Sequence, residues 1–267
     1  MKVQNKTIVV TGGGNGMGRE IVLNLLSKGA NVAAVDMNEA ALQETVNLAG
    51  DKKAKLATFI LNITDKKAVD ALPQQVIARF GAVDGIINNA GIIQPFVRLS
   101  QLEFDAIERV LNVNLYGTIY MLKAFLPYLL ERPEAHIANV SSMGGFLPVP
   151  GQTIYGASKA AVKLLTEGLY AELLETNVGV TVIYPGAIGT NIAANSGVVT
   201  PGGETAESSS FKMLAPEKAA QIIVGAVENG RYSVTVGSDA SFLDKFYRFN
   251  PKGATHFIYK QMKALLT

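Results

Sequence analysis

Short β-branched runs alternate with longer amphipathic segments along almost the whole chain, and this alternation limits the possible folds more than any other feature. Strand candidates fall at 7–11, 31–36, 55–62, 83–88, 136–141, 180–184 and 233–237. Helix candidates fall at 16–28, 39–49, 65–80, 102–131, 155–175 and 216–229. The run Asn31-Val32-Ala33-Ala34-Val35 is apolar at consecutive positions, as expected of a strand buried on both faces. Such strands, separated by helices, pair in parallel through right-handed crossovers. The pattern predicts an α/β single-domain, doubly wound fold over 1–267, with a seven-stranded parallel sheet and helices on both faces. No internal repeat of solenoid period interrupts it.

Two regions depart from the alternation. Residues 191–215 contain Ser196-Gly197, Pro201-Gly202-Gly203 and Ser208-Ser209-Ser210. A loop this long after a strand is uncommon unless it serves a site, so it reads as a substrate lid, with a plain surface excursion as the other reading. Residues 238–267 form an amphipathic C-terminal tail. Phe242, Leu243, Phe246, Tyr247, Phe249, Phe257, Ile258, Met262, Leu265 and Leu266 are interleaved there with Lys245, Arg248, Lys252, Lys260 and Lys263. Three roles stay open for the tail. Packing on the core or a neighbouring subunit comes first, closing over an apolar substrate second, and lying on a membrane surface last.

Composition narrows the chemistry. Charged residues make up 17% of the chain, below the usual quarter or so, and hydrophobic residues 48%. That balance leaves apolar surface for oligomer contacts or an apolar ligand. A net charge of +2 gives no footprint for nucleic acid. With no cysteine, disulfides, thiolate nucleophiles and cysteine–zinc sites are excluded. The only histidines, His136 and His256, lie far apart and form no two-histidine metal motif, so no metal is expected. His136 reads as a structural histidine. No signal-peptide pattern and no membrane-length apolar run is present, and a soluble, cytoplasmic protein is the default expectation.

The first strand runs into Thr11-Gly12-Gly13-Gly14-Asn15-Gly16-Met17-Gly18 and then a helix. Glycines there allow a tight turn and close approach of a pyrophosphate, whose charge a helix N-terminus favours. The spacing is T-G-x-x-x-G-x-G, and no Gly-Lys-Ser/Thr follows, which argues against a triphosphate loop. Asp36 ends the second strand, where a carboxylate can accept both ribose hydroxyls of an adenosine and repel a 2′-phosphate. Met37 follows it and Asn15 carries no charge, so NAD is favoured over NADP. Asp36 can also be read as a helix cap. Further on, Tyr155 and Lys159 are four apart, on one face of a helix, with Ser142 upstream. An ammonium beside a phenol lowers its pKa from about 10, and a phenol so tuned can pass protons both ways.

These motifs, with Asn88-Asn89-Ala90-Gly91, Asn114 in Val113-Asn114-Leu115-Tyr116-Gly117, and Pro185-Gly186, occur in one order, and the chain resembles the short-chain dehydrogenase/reductase family over about residues 5–237. The resemblance implies a Rossmann fold and an NAD(P)-dependent enzyme. By it, Tyr155 matches the general acid/base and Lys159 the residue that binds the nicotinamide ribose and tunes the tyrosine. Ser142 matches the substrate-polarising serine, and Asn114 the helix-interrupting residue of the proton relay. Gly12, Asn15, Gly16, Met17, Gly18, Asp36, Met37, Asn62, Ile63, Asn89, Ala90, Gly91, Pro185, Gly186, Ile188 and Thr190 match cofactor contacts, beside Tyr155 and Lys159. Asn62 stands where the family usually has aspartate, and its amide oxygen is expected to serve adenine instead.

The resemblance also implies hydride transfer between NAD(H) and a secondary alcohol or ketone. Substrate-facing positions by analogy are Gln94, Phe96, Gly144, Phe146, Gln152 and Ile192, with Leu147 and Val149. That set is mostly apolar and suits a hydrophobic or small neutral molecule. A homo-oligomer, dimer or tetramer, is implied through the long helices near 102–131 and 155–175. The rival readings are a non-catalytic nucleotide-binding regulator and a nucleotide-sugar epimerase or dehydratase.

Overall fold

A computed structural model describes residues 1–198 and 213–263. The strands are β1 (Thr7–Thr11), β2 (Asn31–Asp36), β3 (Leu56–Ile60), β4 (Gly85–Asn88), β5 (Ala135–Val140), β6 (Val178–Pro185) and β7 (Ser233–Val236). All pair in parallel, in the order β3-β2-β1-β4-β5-β6-β7. The helices are α1 (Gly16–Ser27), α2 (Glu39–Ala49), α3 (Lys66–Phe80), α4 (Phe104–Leu111), α5 (Thr118–Leu130), α6 (Thr153–Glu172), α7 (Ile192–Asn195), α8 (Pro216–Glu228), α9 (Ser238–Phe249) and α10 (Pro251–Met262). The predicted doubly wound α/β architecture is the one observed. Among the described residues no helix is long and apolar enough to cross a membrane.

Alternation along each strand divides the core in two. Ile8, Val10, Val32, Ala34, Ile87 and Ile183 join Ile21, Leu25 and Val224 on the face covered by α1 and α8. Val9, Ala33, Val35, Ile86 and Ile137 pack with Leu72, Met121, Phe125 and Leu169 on the face of α3, α5 and α6. Every residue of β1, β4 and β5 is buried, because both faces are covered. After β3 the chain returns to pair β4 with β1 and then builds outward the other way. The reversal opens a crevice at the carboxyl ends of β1 and β4, where open α/β sheets take ligands.

One region, 102–131, differs from the sequence-based expectation, and the tail takes the first of the roles left open for it. The single helix expected over 102–131 is α4 and α5 joined by a π-helical stretch at Asn112–Gly117. A wider turn of this kind leaves no trace in a hydrophobic repeat. The tail folds as two helices, α9 and α10, whose Leu243, Ala254 and Ile258 pack on Leu147 with Met143, Phe146 and Phe246 around them. Of the 191–215 segment, 199–212 lies outside the described residues, and the portion before it contains α7.

His136 is buried at the opposite end of the sheet from the crevice, its Nε2 2.8 Å from Thr181 Oγ1. Burial, aided by the Met1 ammonium, pushes its pKa down from 6.5 to about 4. The unfolded chain therefore binds a proton before the folded one does. Above pH 6.5 neither form is charged at this residue and its contribution is flat. Stability is expected to fall as pH drops from about 6.5 towards 4, by up to roughly 3 kcal/mol. Urea midpoints at pH 7 and 4.5 measure this, and His136→Gln should remove most of the difference.

Candidate active site

The loop between β1 and α1 is shaped by glycines at two kinds of position. Gly12 and Gly16 have φ of 69° and 50°, in the left-handed region that side chains avoid. Gly18 is excluded from substitution by proximity, since a Cβ there would lie 1.9 Å from the Gly12 carbonyl oxygen and 2.5 Å from Asn89 Nδ2. Asn15 caps α1, its Oδ1 accepting the Gly16 N–H at 2.7 Å. No acidic residue occupies the first turn of α1, so the positive end of the helix dipole is left for an anion.

Asp36 is held in place by two backbone donors. Its Oδ2 accepts from Gly14 N at 3.0 Å and its Oδ1 from Asn38 N at 3.0 Å. The cap of α2 itself is Asn38, which accepts from Ala41 N. Arg19 is the nearest cation in the loop's sequence, but its guanidinium donates to Gly14 O (2.7 and 3.0 Å) and pairs with Glu44 at 2.6 Å. Its charge is thus spent beneath the loop. Asn62 departs from the expectation of a free amide oxygen. Its Oδ1 accepts from both Thr64 N (3.0 Å) and Thr64 Oγ1 (2.9 Å), an Asx turn.

At the catalytic end, α6 carries Tyr155 and Lys159. Lys159 Nζ donates to Val140 O at 2.9 Å and lies 6.0 Å from the centre of the Tyr155 ring. Ser142 Oγ accepts from Gly144 N at 3.0 Å and is hydrogen-bonded to the Tyr155 side chain. The neighbouring Ser141 turns away, donating to Lys159 O at 2.7 Å. Asn114, fully buried on the π-helical stretch, accepts from Ile92 N (2.9 Å) and donates to Ile92 O (3.0 Å) and Ser158 Oγ (2.9 Å). Gly91 sits between these groups, and a Cβ there would meet Lys159 Nζ at 3.0 Å and Asn114 Oδ1 at 3.3 Å.

Electrostatics correct one expectation. Burial pushes the Tyr155 phenol up, opposed only by the Ser142 hydrogen bond. Burial also pushes Lys159 down, to about 8. Desolvation, which penalises the charged form of each group, is the leading cause of both shifts.

A cleft of about 1380 Å³ runs from Asp36 past the glycine loop to Tyr155. All the cofactor positions named from sequence line it, as do Ser142 and Ile192. Asn114 stands just behind its wall. Gln94, Phe96, Gly144, Phe146 and Gln152, expected to face substrate, do not line it. Gln94 is fully buried, and its Oε1 accepts from Ile154 N (2.8 Å) and Tyr155 N (3.0 Å). It thereby caps α6 at the turn that carries the tyrosine. Gln152 Nε2 donates to Gln94 O at 2.8 Å. Phe146 turns into the tail cluster, its ring 5.6 Å from Tyr184 and 6.4 Å from Tyr247.

Sequence reasoning missed four further contributors. Arg109 of α4 lines the cleft and donates to Ser196 O at 3.0 Å, and Ser196 Oγ accepts from Ile93 N at 3.0 Å. Asn195 Oδ1 accepts from Asn15 Nδ2 at 3.3 Å. These bonds pin α7 across the cleft mouth. Asp239, at the start of α9, accepts from Ala187 N at 2.7 Å and fills the space a Gly186 side chain would need. None of these bonds connects residues close in sequence, so no local motif marks them.

Comparison with known proteins agrees with this geometry. The family model described as short chain dehydrogenase matches residues 6–198. The Mycobacterium tuberculosis protein SadH, an oxidoreductase by name, is 37% identical over 251 residues, spanning 92% of this chain and 91% of its own length. EphD of Mycobacterium bovis is 34% identical over 258 residues, 92% of this chain but only 43% of that longer protein. A Burkholderia phymatum short-chain dehydrogenase/reductase in complex with NAD superposes with a TM-score of 0.84 at 26% identity, covering 94% of this chain and 96% of that one. A Burkholderia cenocepacia short-chain dehydrogenase in complex with NADP gives 0.80 at 25%, covering 97% and 99%.

The contact at Gly18 supplies a direct test of the loop. Gly18→Ala is expected to lose dinucleotide binding, read by fluorescence titration with NADH, and to cost roughly 2–4 kcal/mol in chemical denaturation.

Proposed function

The chain belongs to the short-chain dehydrogenase/reductase family, and we propose that it is an NAD-dependent dehydrogenase or reductase of secondary alcohols and ketones. NAD(P)-linked oxidoreductase chemistry is common to the family. The observation that carries the finer reading is the convergence of Ser142, Tyr155 and Lys159 at one end of a cleft whose other end holds the glycine loop and Asp36.

The residues fit a dinucleotide. The bare backbone at Gly12, Gly16 and Gly18, with the N-terminus of α1 behind it and no acidic residue in its first turn, suits a pyrophosphate. Asp36 would take the adenosine ribose, and Asn89, Ala90 and Gly91 would flank the adenosine. Lys159 would take the second ribose, and Pro185, Gly186, Ile188 and Thr190 the carboxamide end. When bound, the dinucleotide takes or gives the hydride and, in its oxidised form, adds positive charge near the phenol.

Within this reading Tyr155 moves the proton of the substrate oxygen and Ser142 holds that oxygen by a hydrogen bond. Lys159, anchored on Val140 O, keeps its ammonium on the phenol's side of the cleft. Asn114 fixes the Ile92 backbone and Ser158, and so the wall behind Tyr155 and Lys159. The protein contributes alignment and charge, and little else is needed once the oxygen is held. The substrate is a hydrophobic or small neutral molecule, a reading supported by Ile192 and Ile92 in the lining. Exposed Leu164 on α6 and Leu130 on α5 suit assembly of copies through these helices.

Preference for NAD rests on the Asp36 carboxylate, which would face a 2′-phosphate, and on the engagement of Arg19 with Glu44. Asp36→Asn removes the charge and keeps an acceptor for one of the two N–H groups, Gly14 or Asn38, that the carboxylate holds. It is expected to raise the NADP:NAD ratio of kcat/KM by about tenfold or more. Tyr155→Phe is expected to lower kcat by roughly a thousandfold while NADH binding is retained. Both are read from the absorbance of reduced nicotinamide across a panel of alcohols and ketones. Full turnover in Tyr155→Phe would refute the assignment.

A further inference from the structure

The two C-terminal helices divide their aromatic residues between two destinations. Leu243, Ala254 and Ile258 are buried against Leu147, and Phe246 meets Phe257 edge-on at 6.0 Å. The core contact is therefore already made. Phe249 is nevertheless 90% exposed, Phe242 58% and Tyr259 47%. Phe242, Lys245 and Phe249 follow one another at helical spacing along the outer side of α9. Lys252, His256, Tyr259 and Lys263 do so along α10. Phe249 lies at the junction of the two helices, flanked by Arg248 and Lys252.

Charge on this surface has one sign. The segment carries Lys245, Arg248, Lys252, Lys260 and Lys263 against Asp239 and Asp244. Asp239 is turned inward onto Ala187 N, and Asp244 is paired with Arg248 at 3.0 Å. Among the described residues none of the four lysines has an ion-pair partner. A second copy of the chain is a poor occupant, because a two-fold contact would set this cationic surface against itself. Exposed aromatic rings set among lysines match an anionic lipid surface, where rings sink to the headgroup level and ammonium groups meet phosphates.

We propose that the α9–α10 pair docks the protein on anionic membranes, with Phe249 at the point of deepest contact. The mode is peripheral. Neither helix spans a bilayer, and the opposite faces remain packed on the domain.

The test mixes the full-length chain with phosphatidylcholine vesicles, with and without phosphatidylglycerol, and reads the protein that floats with lipid. Flotation is expected only with phosphatidylglycerol, and high salt should abolish it. Lys245→Glu combined with Lys252→Glu should weaken partitioning by about 25-fold or more, given about fivefold per lysine lost near the surface. Phe249→Ala should weaken it by roughly tenfold. All three positions are exposed, so thermal unfolding should be unchanged. Failure of the wild-type chain to float, or equal flotation with both vesicle types, would overturn the proposal. So would a Phe249→Ala variant that floats normally but has a smaller mass by light scattering, which would make this surface a contact between copies.

Discussion

The hydroxyl of Thr11 accepts the backbone N–H groups of both Asn89 and Ala90, each at 3.0 Å, and the Asn89 side chain returns a bond to Thr11 O. Three hydrogen bonds thus tie the ends of β1 and β4 where the sheet reverses direction. The crevice exists because the strands part there, and it has a defined width because Thr11 holds them. The glycine loop leaves on one side of the tie and the Asn89–Gly91 segment on the other. Gly18 is squeezed against the same Asn89 amide. The start of α1 and the Asn89–Gly91 wall are consequently held to one another through the end of β1.

From that end to the other, the site is built by packing more than by charge. Gln94 gives its entire amide to the first turn of α6 and to Gly151. Asn114 gives its own amide to Ile92 and Ser158. Tyr155 and Lys159 sit between these fixed groups, in surroundings dry enough to disfavour a charge on either.

The legible and illegible parts of the chain differ in the range of the interactions involved. Consecutive apolar residues such as Val32 to Val35 announced a doubly covered strand, and Gly12, Gly16 and Gly18 announced the turn after β1, because each records a local backbone requirement. Asp36 and the Tyr155–Lys159 pair were legible for the same reason. The π-helical turn at Asn112–Gly117 was not legible in the hydrophobic pattern, where its six residues look like any other helix, and only the resemblance marked Asn114 as an interruption. The structural role of Gln94 was not legible, because a buried amide that caps a helix 60 residues away carries no signature in its neighbours. The Asn62 oxygen was lost to Thr64, a competition between the nearest backbone donor and a distant ligand that geometry alone decides.

Asp239 carries a consequence of its own. Its carboxylate occupies the volume that any residue larger than glycine would need at position 186, while holding Ala187 by the backbone. The two positions therefore cannot vary independently. A side chain at 186 demands a smaller residue at 239, and shortening 239 releases the strand-end loop. The start of α9 is thereby fastened to the wall of the cleft at Gly186 and Ala187.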